Sequence, residues 1–206
     1  MFYPRTVKLN DKDVLVDDTQ CVDFREHLQS HRVLFLSGII TNEFSSHNLL
    51  MAMDTQSHTP IRLVITSVGG DLDASFLLYD TMKMIKSPIE TLGRYCASAA
   101  AIILAAGSKR YLLPHAKVML HLPSSYFQKD TAVPFQEMEI YQKEAMKYKN
   151  KMVNLLRECG VKKSHDEILT DIDRNFWLEP DQAIEYGLAD ELMTPEIWQS
   201  WIKEIK

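Results

Sequence analysis

Apolar runs alternating with stretches of helical periodicity set the plan of this chain. Arg32-Val33-Leu34-Phe35-Leu36, Ile61-Arg62-Leu63-Val64-Ile65-Thr66 and residues 89–95 are rich in Val, Ile and Leu and read as buried strands. The first is expected to stop at Ser37-Gly38 and the second at Gly69-Gly70. Between them, residues 41–53 have helical character. Phe76, Leu77, Tyr79, Met82 and Ile85 recur at helical spacing behind Asp73, which is read as a cap. Residues 97–106 are small or apolar and pass directly from the third strand into a helix. A fourth short strand, residues 117–120, ends at His121 and Pro123. This alternation predicts β-α-β units and a largely parallel sheet.

After His121 the pattern changes. Residues 124–134 are polar and irregular, and residues 135–159 read as one long amphipathic helix closed by Gly160. Met138, Tyr141, Ala145, Tyr148, Met152, Leu155 and Leu156 form its apolar stripe. So long a helix is expected to project from the core and to meet a partner chain along that stripe. Pro180 and Gly187 bracket a later helix. Thr194-Pro195-Glu196 opens a last one, carrying Ile197, Trp198, Trp201 and Ile205. Residues 1–20 are polar, and we read them as a surface arm with a short hairpin through Val14-Leu15-Val16.

Composition narrows the class. At 206 residues and 46% hydrophobic the chain can bury one full core. A net charge of −5 with no Lys/Arg run argues against a nucleic-acid partner. Cys21, Cys96 and Cys159 are far apart and form no C-x-x-C, so neither a disulfide framework nor a zinc site is indicated, and a reducing, cytoplasmic setting is expected. The start carries no apolar targeting core, and the apolar run at 97–106 is shorter than the ~20 residues a bilayer requires, so no membrane association is expected.

The candidate chemistry sits at strand ends. A hydroxyl at a strand-to-helix turn, Ser98, lies where free backbone N–H groups could hold an oxyanion. Alone, Ser98 reads as a cap, His121 as a core histidine and Gly69-Gly70 as a turn. Together they would converge on one edge, because sites in open α/β sheets form beyond the carboxyl ends of strands. The sequence has no G-x-S-x-G elbow and no phosphate-binding loop.

Several of these segments resemble the Clp protease proteolytic subunit, ClpP. Val33-Leu34-Phe35-Leu36-Ser37-Gly38 is similar to the family's first core strand. Ile65-Thr66-Ser67-Val68-Gly69-Gly70 resembles its S-P-G-G segment, with Val68 for proline. Tyr79-Asp80-Thr81-Met82-Lys83-Met84-Ile85-Lys86 is close to Y-D-T-M-x-x-I-K, and Val118-Met119-Leu120-His121-Leu122-Pro123 to V-M-I-H-Q-P. Asp173-Arg174-Asn175 and residues 183–190 resemble the end of the domain. The resemblance implies a crotonase-like α/β fold, a β-α-β spiral with a projecting handle helix at about 135–159. It further implies an N-terminal arm or axial loop at 1–20 and a single protease domain over 21–206.

The resemblance also assigns roles. Ser98 would be the nucleophile and His121 its base, with the backbone N–H groups of Gly70 and Ala99 as the oxyanion hole. The third triad position falls on Asn175, where the family has aspartate. Asp171 and Asp173 are read as surface or ring-contact charges, and Asp173-Arg174 as an inter-ring ion pair. Arg62, Val64, Met84, Tyr111 and Leu113 would form the docking surface for an ATPase, weakened because Arg62 and Val64 replace aromatic residues. The segment at 124–130 lacks the family's glycines and runs longer, which bears on substrate pairing. The implied activity is a serine endopeptidase of ClpP type, cutting peptides and, with a Clp-type AAA+ unfoldase, unfolded proteins. It would self-assemble into two stacked seven-membered rings, a tetradecamer. No cofactor and no metal are expected in this chain, since ATP belongs to the partner. Two rivals stand beside this reading. One is a non-catalytic or weakly active subunit of a mixed ring, suggested by Asn175. The other is a crotonase-fold enzyme acting on acyl-CoA, against which the Ser98–His121 pair argues.

Overall fold

The computed structural model describes residues 5–9, 12–16, 28–41, 46–123 and 134–203. The apolar runs pair as predicted: β3 (Val33–Ile40), β4 (Ile61–Gly70), β5 (Ile89–Ala97) and β6 (Lys109–Leu120) lie side by side and parallel. Ahead of them, β1 (Arg5–Leu9) and β2 (Lys12–Val16) pair antiparallel, the hairpin expected in the arm. The crossovers are α1 (Ser46–Gln56), α2 (Leu72–Met84) and α3 (Ala99–Ala105). Next come α4 (Phe135–Glu158), α5 (His165–Asp171), β7 (Phe176–Leu178), α6 (Pro180–Tyr186), β8 (Glu191–Leu192) and α7 (Pro195–Lys203). β7 adds antiparallel to the carboxyl end of β6, and β8 parallel to its first half.

Several boundaries depart from the sequence reading. β3 runs past Gly38, because that residue takes φ 81° and the ladder shifts register there without breaking. β4 continues through Gly69-Gly70 instead of ending before them. β6 spans twelve residues, not only 117–120. Its ladder jumps from Gly93↔Leu112 to Tyr95↔Lys117, so Pro114, which has no N–H to donate, falls in the irregularity. The cap of α2 is Asp71, whose Oδ1 accepts from Ala74 N at 2.8 Å. Asp73 instead accepts from the Tyr148 hydroxyl of α4 at 2.7 Å, tying the two helices together. α1 runs later than expected, to Gln56. The segment at 124–133, Cys21 and Ile205 lie outside the described residues.

The sheet has two apolar faces with different covers. On one, every residue of α3 is buried, at the centre of a core that also takes Leu36, Ile65, Phe76, Leu120, Leu156 and Leu188. On the other, Val33, Val64, Leu92, Tyr111 and Met193 form a smaller cluster closed by Trp201 of α7. The long helix behaves as its stripe predicts. Met152, Val153, Leu155 and Leu156 anchor its last turns in the core, while Phe135, Met138, Ile140, Tyr141 and Met146 stand exposed on its first half. Among the described residues, no helix is long and apolar enough to cross a membrane.

Candidate active site

The carboxyl ends of β4, β5 and β6 bring the predicted chemistry together. β5 ends at Ala97, and Ser98 then takes φ 57°, ψ −126° before α3 begins. Such a conformation costs a non-glycine residue about 1–3 kcal/mol and persists only where its surroundings enforce it. Here the Ser98 N–H donates to the Met119 carbonyl at 2.7 Å and the Ser98 carbonyl accepts from Ala101 N at 3.0 Å. The side chain is therefore free of capping duty. Its Oγ lies 2.7 Å from the Nε2 of His121.

His121 is the first residue beyond β6, and the Leu122 N–H fixes the turn by donating to the Ile172 carbonyl at 3.0 Å. The ring is half-buried, and burial holds its pKa below the ordinary 6.5. The imidazole is thus neutral near pH 7. With its proton on Nδ1, Nε2 accepts the Ser98 hydroxyl proton, the relation a nucleophile needs to its base.

The glycine pair is a close approach, not a turn. Gly69 has φ 86°, and a Cβ there would lie 2.6 Å from the Ala97 carbonyl oxygen, 2.8 Å from Ser98 Cβ and 2.9 Å from Ala99 N. A Cβ on Gly70 would lie 2.1 Å from the Ile40 carbonyl oxygen. Ser67 sets this end of β4: its hydroxyl donates to the Gly38 carbonyl at 2.6 Å and accepts from Gly69 N at 3.1 Å. The sequence reading set Gly69-Gly70 beside Ser98 and His121 as a strand-ending turn and did not single out Ser67; a glycine pair signals tolerance for close packing without saying what packs. Gly69 thus packs directly on the Ser98 turn and on the first N–H of α3, that of Ala99, while Gly70 packs on the end of β3.

The third position is different. The β6–β7 ladder ends with Leu120 opposite Phe176, and beyond it the Leu122 N–H turns to the Ile172 carbonyl, so Asn175 lies just outside the paired ladder, beside the turn that carries His121. Asn175 is exposed, and among the described residues it makes no hydrogen bond. Asp171 is occupied elsewhere, its Oδ2 accepting from Lys163 Nζ at 2.9 Å and from the Tyr186 hydroxyl at 3.0 Å. Asp173 and Arg174 form an exposed pair at 3.8 Å. Among the described residues, neither Asp171 nor Asp173 is thus placed to compensate a charged His121.

Most of the positions expected to form a docking surface are covered in this structure. Arg62, Val64 and Tyr111 are only 5%, 6% and 3% exposed, because α7 lies across them. The Arg62 Nη1 donates to the Trp201 carbonyl at 2.9 Å, and its guanidinium lies over the Trp201 ring at 5.3 Å. The charge that looked out of place in an apolar pocket serves as the C-terminal cap of the covering helix. Leu113 is half-buried at the edge of the cluster. Met84, at the end of α2, is 81% exposed and does not belong to it.

A hydroxyl held 2.7 Å from an imidazole nitrogen, with glycine backbone and a helix start beside it, has the parts that α/β sites use to attack acyl carbons. The Clp protease family model matches residues 16–196, and the chain belongs to that family. The ATP-dependent Clp protease proteolytic subunit 1 of Rhodopirellula baltica is 33% identical over 173 residues, covering 81% of this chain and 74% of that protein. The mixed α/β architecture is accordingly that of a Clp protease.

Proposed function

We propose that this chain is a serine-type endopeptidase with Ser98 as nucleophile, carried chiefly by the 2.7 Å contact between Ser98 Oγ and His121 Nε2 at a turn that forces the serine outward. Ser98 Oγ attacks the peptide carbonyl carbon while its proton passes to Nε2. The oxyanion is held by the Gly70 and Ala99 N–H groups. The imidazolium then returns the proton to the leaving amine, giving an acyl-enzyme. A water molecule repeats the sequence and releases the acid. Asn175, which makes no hydrogen bond to the ring in this structure, would have to turn toward it to accept the Nδ1 proton, and its amide would supply no charge to stabilise the imidazolium. None of these steps needs a cofactor in this chain; ATP serves the unfoldase that feeds protein substrates. The decisive test is a fluorophosphonate probe on the pure protein. A covalent adduct located on Ser98 is expected, and an unlabelled Ser98 in folded protein would overturn the assignment.

A second reading, a weakly active subunit of a mixed ring, draws on the unbonded Asn175. It makes a pH prediction. Burial alone places the acid limb of kcat/KM for the native enzyme below 6.5, because the active base is the neutral ring. With Asn175 as the third triad position, Asn175→Asp offers the imidazole a carboxylate partner and favours its charged form. The limb should move upward, and kcat at pH 8 should rise by about tenfold or more. A fall in kcat with the limb unmoved would show that Asn175 does not face His121 in the working site.

The exposed first half of α4 supports self-association into a chamber of two stacked rings. Covering Phe135, Met138, Ile140 and Tyr141 would recover roughly 25 cal/mol per Å² of apolar area. Light scattering should give a particle many times the 23.7 kDa chain. Met138→Glu together with Ile140→Glu should reduce it to a single ring or smaller. Unchanged mass in that variant would rule the helix out as the contact.

A further inference from the structure

The last helix contributes nothing to the main core. Trp201 stands edge-on to Tyr111 with ring centroids 5.5 Å apart, and Ile197 packs on the cluster of Val33, Val64, Leu92 and Met193. Thr194 starts α7, its Oγ1 accepting from Ile197 N at 3.3 Å, and Arg62 ends it, steadied by Glu90 at 3.5 Å from its Nε. Both ends of the helix are thus fixed by residues suited to that job. The face beneath has the chemistry of a site for an apolar, aromatic-bearing segment, and the chain itself supplies one. That face continues beyond the helix. Past Leu113 it opens into a cleft of about 350 Å³ walled by Thr66, Arg94, Tyr95, Pro114 and His115.

We propose that α7 is an intramolecular occupant of the unfoldase-docking face, and that an apolar loop of the unfoldase binds there only as α7 leaves. The proposal rests on reading Arg62, Val64, Tyr111 and Leu113 as docking positions. Three features of the structure carry it further. The helix covers those residues together with their neighbours Val33 and Leu92 on the same face of the sheet. Its described residues pack on the smaller cluster and not on the main core, so its release leaves the main core intact. Nine residues are too few to hold a helix alone, so leaving the face and unfolding are one event, which gives two discrete states. Arg94 in the wall of the open cleft favours an acidic residue beside the apolar anchor of the incoming loop.

A cover closed more than about nine-tenths of the time lowers apparent affinity at least about tenfold, and loosening it restores that factor. The test compares three forms of the full oligomer for affinity to a purified Clp-type unfoldase in the presence of ATP: native, Ile197→Ala with Trp201→Ala, and a chain ending at Met193. In parallel, native protein bearing fluorinated tryptophan, with Trp177→Phe and Trp198→Phe, reports position 201 by fluorine NMR. The alanine pair is expected to bind at least tenfold tighter than native, and the Trp201 signal to move to its solvent-exposed value as unfoldase is added. The alanine pair keeps the test open if the shortened chain fails to assemble. Equal, measurable affinity in native and alanine-pair forms, or a Trp201 signal that stays buried in the complex, overturns the cover while leaving the docking face standing. No binding by any form overturns the docking reading itself, and the cover with it.

Discussion

Ser98→Ala is expected to abolish fluorophosphonate labelling and to lower peptide hydrolysis by a factor on the order of 10⁵–10⁶, the scale on which loss of a serine nucleophile is felt. Folding should hardly notice. Alanine keeps the Cβ, so the cost of φ 57° is the same, and the substitution gives up one hydrogen bond, to His121. That loss is worth about 0.5–1.5 kcal/mol. Because the turn is held by the backbone bonds to Met119 and Ala101, its shape does not depend on the hydroxyl. Kinetics, probe labelling and thermal unfolding measured on one preparation separate the outcomes. Activity within tenfold of native would mean that Ser98 is not the nucleophile.

Gly69→Ala should be nearly as damaging for a different reason. The added methyl group would press on the Ala97 carbonyl, Ser98 Cβ and Ala99 N, all within 2.9 Å. Two of the three are backbone atoms of the nucleophile turn and cannot swing aside. The positive φ adds about 1–2 kcal/mol and the overlap about 1–3 kcal/mol more, a loss on the order of 10 °C in Tm. Relief requires the Ser98 turn to move, and a displacement near 1 Å at a reacting group costs about 100-fold in rate. Gly38→Ala is the control. It shares a positive φ of 81° but has nothing within 4 Å of the new methyl, so it should lose stability alone. Equal kinetic effects from the two substitutions would show that contact with the Ser98 turn is not what makes Gly69 matter.

What the sequence disclosed followed the range of each signal. Ser98 and His121 were visible because local grammar marks them: small residues entering an apolar helix, and a strand closed by Pro123. The parallel strands were visible because residues buried on both faces leave unbroken apolar runs. Asp73 reads as the cap in place of Asp71 since two carboxylates, two residues apart, offer the same propensity, and only the partner of each decides. Residues 109–116 of β6 were missed because Pro114 and His115 interrupt the run, while the paired ladder simply steps over them. The cover on Arg62 was beyond reach. Its hydrogen bond to Trp201 joins residues 139 positions apart, and an amphipathic pattern says that α7 buries a face without saying where. Arg62 itself was the clue: a charge in an apolar run signals a partner when none is local.

One property of the sheet limits how this protein could be re-engineered. β4 carries Val64 near its start and Gly69-Gly70 at its end; β5 carries Leu92 and leads into Ser98; β6 carries Tyr111 and leads into His121. On β4 and β5 the two ends are about 20 Å apart at roughly 3.3 Å per residue, joined by unbroken extended backbone. The covered face and the chemical turn are opposite ends of the same three strands, with no linker or loop between them at which to cut. A graft that exchanged one for a homologue's version would have to exchange the rods that hold the other. Variation in who docks is therefore cheapest outside the sheet, in the sequence after Met193, where a chain can gain, lose or rewrite a helix without disturbing the spacing of serine, histidine and glycine.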